Sequence, residues 1–461
     1  MTIVPFSPQP RQEAVALNDR GVRLHEEGDL EGAVSAYREA IDLEPGYANA
    51  HYNLGLALHD QGRTELAIAS YREALRLDDA DPEAWLNLGC ALMAVKAIDE
   101  AESCFKQAIE RDPDYACAHC KLGTLLYDQG DLDQATWELK KALKLDPECA
   151  EGRHALGLVQ FEKGRQDEAL KQLQQANRLD PGQPGTARDL GRVLHHTGQL
   201  DAAATQYRKA LMYEPGQAEA RIGLASILAE RGQLDEALKA FRKLAAESPD
   251  NGEIILGLGR VHEALGDHEQ ALLHYREALR LAPTYADAWV SLGWSLRTKR
   301  PAESLKAFHK ALETAPHDFG ARTGLGWTLL QTGRIDEAVR VFRSLAAEHP
   351  GELFAVYGFA EALARQGNWD EAIPTLDKAL GLDPRHVPSL IWRGRLEADR
   401  GHWAEAEAWF RKAIEVDPES LQAYFRLALA LMMRGRFGEA SLSFLEGVRL
   451  ARKGPEPRAE V

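Results

Sequence analysis

Apolar residues along this chain recur at i, i+3, i+4 and i+7, the spacing of one face of an α-helix. Trp85, Leu88, Gly89 and Leu92 carry the pattern, and Ala101, Phe105, Ala108 and Ile109 carry it again after a short break. Turns such as Gln61-Gly62, Gln129-Gly130 and Thr197-Gly198 separate the two members of a pair, and an Asp-Pro or Glu-Pro step closes the second. A proline there cannot continue a helix and disfavours helical backbone in the residue before it. No segment alternates apolar and polar residues with the period of a strand. The pattern predicts an all-α chain of short paired helices.

The pairs repeat. Pro45, Pro113, Pro147, Pro181, Pro215, Pro249, Pro283, Pro316, Pro350, Pro384 and Pro418 stand 34 residues apart, except for a double step of 68 after Pro45 and a step of 33 after Pro283. Glycines from Gly21 through Gly55 and Gly89, and alanines from Ala33 through Ala67 and Ala101, keep the same phase. Numbering positions 1 to 34 from Ala14 gives thirteen repeats over residues 14–454, or 13 × 34 − 1 = 441 residues. Residues 1–13 are an extension and 455–461 a tail, both expected to be disordered. The length of 461 residues, which alone would suggest about three domains, therefore belongs to one array in which each repeat packs on its neighbours. Small residues at positions 8, 20 and 27 let helix axes approach, and bulky ones at 4, 7, 11 and 24 fill the remaining space.

The set Trp85-x-x-Leu88-Gly89, Ala101, Phe105, Ala108 and Pro113 resembles the tetratricopeptide repeat, and the likeness extends through all thirteen repeats. The resemblance implies a right-handed superhelical α-solenoid of helix-turn-helix units, with first helices lining a concave groove. It also implies a non-catalytic scaffold that binds peptide segments of other proteins. A self-assembling structural protein and an accessory subunit of a separately encoded enzyme are the alternatives.

Composition narrows the partners. The net charge of −16 disfavours nucleic acid and anionic membranes, both polyanions. No run of about 18 apolar residues exists, so no membrane insertion is expected. The first residues lack the basic start and apolar stretch of a secretory signal. Five cysteines, an odd number, do not read as a disulfide framework. A cytoplasmic location follows as the expectation. No phosphate-binding loop, dinucleotide fingerprint, zinc-protease motif or nucleophile elbow is present. The ends leave too few residues for a catalytic domain, so neither an enzyme activity nor a cofactor is expected.

Under the resemblance, positions 2, 5, 6, 9, 12 and 13 of each first helix face the groove. An early zone then holds Tyr52, Asn53, Asn87 and Tyr127. Asn53 and Asn87 share position 6 in adjacent repeats, and stacked amides can each donate to and accept from a peptide backbone. They resemble two rungs of the asparagine ladder of the O-linked N-acetylglucosamine transferase repeats. A late zone is aromatic and basic: Arg260, Trp294, Trp327, Phe354, Tyr357, Trp392, Arg395, Phe425 and Arg426. Aromatic and Arg side chains are those enriched in binding hot spots. Packing between adjacent first helices is the competing reading of that zone. The residues of a chaperone-tail carboxylate clamp are not in register; only Asn53 matches.

Three local features stand apart. Cys90, Cys117 and Cys120, with His154 in the next repeat, are either soft metal ligands or small buried residues in an Ala-rich array. The ninth repeat is one residue short, in the basic turn Arg297-Thr298-Lys299-Arg300, with Pro301 placed to open the second helix. Arg393 and Glu397 occupy positions 7 and 11 of repeat twelve, which elsewhere hold mostly Leu, and predict a soft spot near Trp392. The apolar second helix of repeat thirteen has no polar cap after it, so homo-oligomerisation through that repeat is a further expectation.

Overall fold

The computed structural model describes residues 9–453, and every regular element among them is an α-helix: twenty-six helices in thirteen successive pairs. The helices start where the repeat phase places them. Repeat three gives Pro82–Ala94 and Ile98–Arg111, and repeat ten gives Phe319–Gln331 and Ile335–Glu348. The chain divides into two compact bodies, with the boundary between Ile227 and Leu228, inside the helix Ala218–Glu230. Within each body a first helix packs on the second helix of its own repeat and on the first helix of the next. Second helices of neighbouring repeats lie farther apart and meet through long side chains, as Lys209 reaches Asn177 at 2.8 Å and Arg343 reaches Glu371 at 3.0 Å. First helices therefore make one layer of each body and second helices the other, as in an α-solenoid.

One side chain per repeat sets the spacing of the layers. The position-24 residue is buried in repeats one to twelve, from Tyr37 to Phe410. In repeat three it is Phe105, whose ring lies where a Cβ on Gly89 would come within 2.5 Å. Only a hydrogen fits there, so the glycine ladder is a demand of packing. In repeat thirteen the equivalent Phe444 is 52% exposed, together with Phe437, Leu442 and Leu445.

Position 4 supplies a link between repeats that the apolar pattern did not reveal. Trp85 donates its indole N–H to the Asp79 carbonyl at 2.9 Å, and Trp289 donates to the Pro283 carbonyl at 2.8 Å. His51, His119 and Arg153 meet the carbonyls of Pro45, Pro113 and Pro147 in the same way. Each satisfies a carbonyl at the end of the preceding repeat, where the helix has no partner left for it.

The turn inside a repeat needs one left-handed residue. Eleven repeats place glycine there, with φ from +73° at Gly164 to +85° at Gly130. Repeat three places Lys96 there instead, at φ +62°. A Cβ in that conformation costs about 1–2 kcal/mol. Lys96→Gly is therefore expected to stabilise the chain by about 1 kcal/mol, less than the strain because glycine also frees the unfolded chain. A denaturant midpoint unmoved or lowered would count against that strain.

Repeat nine carries no such residue. Pro301 opens its second helix, Pro301–Thr314, as its missing N–H allows. At the other end of the chain the first helix runs Gln9–Glu26, so residues 9–13 extend repeat one as helix. Residues 1–8 and the tail 455–461 lie outside the described residues.

Candidate ligand groove

The late zone lies in the second body, and its aromatic residues converge. Trp294 (repeat nine), Trp327 (repeat ten) and Phe354 with Tyr357 (repeat eleven) line one pocket of about 640 Å³. Phe319, Thr323, Glu361, His386, Pro388 and Arg297 complete its wall. The rings are fixed from below by the repeat core. Trp294 stands edge-on to Phe308 at 5.8 Å between centroids, and Trp327 to Phe342 at 5.1 Å. Trp327 also lies 5.7 Å from Tyr357, whose ring meets His386 at 4.7 Å. Trp294 and Phe354 keep 37% and 56% of their surface exposed, so the pocket presents apolar area to solvent.

The charges of the pocket are arranged unevenly. Glu361 is buried, accepts the Tyr357 hydroxyl proton at 2.6 Å and pairs with Arg365. Burial, and then the Glu361 carboxylate, push the Tyr357 hydroxyl well above the usual phenol range, which keeps it a donor. Trp392 lies near the same hydroxyl and opposes that rise. Burial also pushes His386 below the ordinary imidazole range. Arg297 rests over Trp294 at 5.4 Å and has no ion pair among the described residues. The acid is thus neutralised from behind, while a cation remains at the rim. A second cavity of about 510 Å³ lies on the other side of Trp294 and Arg297, along the shortened turn Arg297–Arg300.

The remaining late-zone residues do not join this wall. Arg395 stacks on Trp392 at 4.5 Å, and burial, with Arg395 nearby, pushes the Arg426 guanidinium below its usual range. Phe425 packs on Phe444 of its own repeat at 5.4 Å. Arg260 reaches Ser291 at 3.4 Å and Asp287 at 3.5 Å in the next repeat.

The early zone lies in the first body, and its polar groups bond to one another. The Asn53 amide donates to Asn18 at 2.9 Å, and the Asn87 amide donates to the Tyr52 hydroxyl at 2.8 Å. Each amide thus spends one N–H on the preceding first helix, where the ladder reading left it for a ligand. Burial raises the Tyr127 hydroxyl above its usual range, and the nearby Arg192 opposes that shift.

His154 turns away to Asp189 at 2.8 Å, and Cys120 lies 3.8 Å from Cys149, which the spacing argument had not included. Among the described residues no three His, Cys, Asp or Glu side chains are grouped to hold a metal ion. His262 is buried and stacked on His274 at 5.3 Å; its Nδ1 has no hydrogen bond, with Asp267 3.5 Å away.

Sequence reasoning missed Glu361, Phe319, Thr323, His386 and Pro388. Glu361 had a legible signal: it stands at position 9 of repeat eleven, where repeats nine and ten place Trp294 and Trp327.

Two layers of stacked helices define an α-solenoid, with a pocket on its first-helix layer. The chain belongs to the tetratricopeptide-repeat family. Residues 16–254 match the profile of the Cilia and flagella-associated protein 70 C-terminal domain. Residues 228–292 and 295–358, and then 357–416 and 393–455, match two tetratricopeptide-repeat profiles. No curated protein matches the chain in sequence. In structure it is similar to the APC/C hetero-tetramer Cut9-Hcn1, at 13% identity and a TM-score of 0.61, over 95% of this chain and 94% of that one. It is also similar to MamA, at 27% identity and a TM-score of 0.34, over 37% and 93% of the two chains. A third likeness is to pilF of Pseudomonas aeruginosa, at 22% and 0.41, over 45% and 94%. The first of these shares the fold; the other two cover less than half of this chain.

Proposed function

We propose that the chain is a non-catalytic scaffold that binds peptide segments of partner proteins on its first-helix layer. The segment seats a bulky apolar side chain in the pocket between repeats nine and eleven and places acidic residues beside it. The supporting observation is the pocket itself: Trp294, Trp327, Phe354 and Tyr357 surround space that no side chain among the described residues fills. Arg297 at its rim, and Arg395 and Arg426 beyond it, favour an acidic flank by charge complementarity. Ringed by energetically quieter contacts, one such anchor can carry most of the affinity.

A peptide-display library panned against the full-length chain tests this. Enriched sequences are expected to hold Trp, Phe or Leu next to Asp or Glu. Trp327→Ala is expected to weaken them about 30-fold, equal to about 2 kcal/mol. Phe354→Ala, more exposed and less tied to the core, checks that the loss is local, and Trp392→Ala is expected to weaken binding less. Affinities unchanged in Trp327→Ala would remove the pocket from the site. The exposed Phe437, Leu442, Phe444 and Leu445 favour a second reading, self-association. Light scattering of the same sample separates the two, since only self-association makes the mass rise with concentration.

A further inference from the structure

The first body contains a pair of thiols that the groove does not use. Cys149 is the N-cap of the helix Ala150–Glu162, and its sulfur accepts the Gly152 backbone N–H at 3.2 Å. Cys120, in the middle of the helix Ala116–Asp128, points its sulfur at Cys149 from 3.8 Å. The two residues differ in access: Cys120 is 2% exposed and Cys149 is half-buried. A sulfur at a helix N-terminus is held by backbone N–H groups and by the helix dipole, both of which favour the thiolate. The two sulfurs share one hydrogen bond, in which a Cys149 thiolate would accept from the Cys120 S–H, and Lys121, held on Glu151 at 2.7 Å, lies beside the pair. With Cys120 as the donor, that hydrogen bond, working against burial and with the Gly152 N–H, holds the Cys149 thiol below its ordinary range; Glu151 and Asp146 oppose that shift.

We propose that Cys120 and Cys149 form an oxidation site at which a hydroperoxide converts the two thiols into an intrachain disulfide. Cys149 is the attacking sulfur because it is the less buried of the two and caps a helix N-terminus that favours its thiolate; Cys120 is the resolving one because it already faces it. The Cys149 thiolate attacks the terminal peroxide oxygen, the O–O bond breaks, and the leaving oxygen departs as alkoxide or hydroxide with the electron pair. Cys149 becomes a sulfenic acid. The Cys120 sulfur then attacks the Cys149 sulfur; the S–S bond forms, the S–O bond breaks, and hydroxide leaves as water with the Cys120 proton. Two electrons pass from the pair to the peroxide, and two thiols plus ROOH give a disulfide, ROH and water. The sulfurs must close from 3.8 Å to a bond of about 2 Å. A change of the Cys149 side-chain torsion supplies that shift at a residue between two helices. The bridge ties the first helix of repeat four to the start of repeat five.

The test is treatment of the full-length chain with hydrogen peroxide, followed by alkylation and tryptic mapping. Free thiols are expected to fall from five to three, since the pair removes two. One cross-link should join the peptides covering 112–121 and 145–153, and dithiothreitol should remove it. Cys117 shares the first of those peptides and is exposed, so Cys117→Ser must keep the cross-link. Cys120→Ala and Cys149→Ser must abolish it; serine preserves the helix cap, and circular dichroism verifies the fold of each variant. A cross-link that survives Cys120→Ala, a Cys149 recovered as sulfinate, an interchain product, or five thiols still free would each overturn the proposal.

Discussion

Glu397→Ala is expected to destabilise the C-terminal repeats by about 3–5 kcal/mol, whereas Arg393→Leu combined with Glu397→Leu is expected to be neutral or stabilising. Glu397 is 7% exposed and sits where other first helices place Leu92 or Leu126. Arg393 pairs with it one turn earlier, and His402 approaches its other oxygen at 2.9 Å. Arg393 also donates to Asp377 at 2.9 Å and lies over the Trp409 ring at 5.5 Å. Burial pushes the Glu397 carboxyl up, but the hydrogen bonds from Arg393 and His402 outweigh it and hold the group below its usual range. A depressed carboxyl stabilises the fold above its unfolded pKa, and that share is lost as pH falls through the folded value. Removing Glu397 alone leaves the Arg393 guanidinium, 14% exposed, without its main partner. Removing both charges restores the leucine packing of the other repeats. An array does not unfold as one two-state unit, so the reading is hydrogen exchange of residues 387–453 alongside the denaturant midpoint. The native pair should still exchange faster than the leucine-filled repeat four. Equal losses in the single and double variants would sink the idea.

The helices were legible because one period wrote them many times. Position 24, with Tyr37, Phe105 or Leu139, and position 8, with Gly21, Gly89 or Gly123, are complementary in size, and the pairing recurs often enough to fix the register. The approach of Trp294 and Trp327 was legible for the same reason: equivalent positions of adjacent repeats lie side by side, and Tyr357 joins them from one turn before position 9 of repeat eleven. What the period could not tell was whether a groove residue stays free. Asn53 and Asn87 look alike in sequence, yet each is engaged by a neighbour that depends on one local residue, Asn18 or Tyr52. Cys149 escaped because it falls at position 34, a turn position outside the helical pattern, while its partner Cys120 lies on the preceding first helix. Glu361 was hidden by its charge: a carboxylate beside aromatic rings reads as solvated until Arg365 and Tyr357 are seen to neutralise it.

Phe342 joins the repeat core to the pocket, and Phe342→Ala should damage both. Its side chain is fully buried in the second helix of repeat ten. A Cβ on Gly326 would lie 2.6 Å from its ring, and one on Gly358 closer still, so the ring fills the space left by two glycines from adjacent first helices. Truncation opens a cavity that those helices cannot collapse into without a backbone shift, at about 3–5 kcal/mol. The same ring is the surface against which Trp327 stands. Without it Trp327 loses its fixed orientation, and affinity for a Trp327-dependent peptide should fall about 10-fold even where the chain remains folded. Phe342→Leu is the control. Leucine holds this position at Leu139, Leu173 and Leu376, and the Gly123 backbone approaches Leu139 as closely as Gly326 approaches Phe342. It should cost only about 1–2 kcal/mol, yet still withdraw the aromatic edge from Trp327. Core and pocket roles therefore separate in that variant: peptide binding reduced with most stability retained assigns the ring to both. Binding unchanged in Phe342→Leu would leave it as core alone, with Trp327 held by Tyr357.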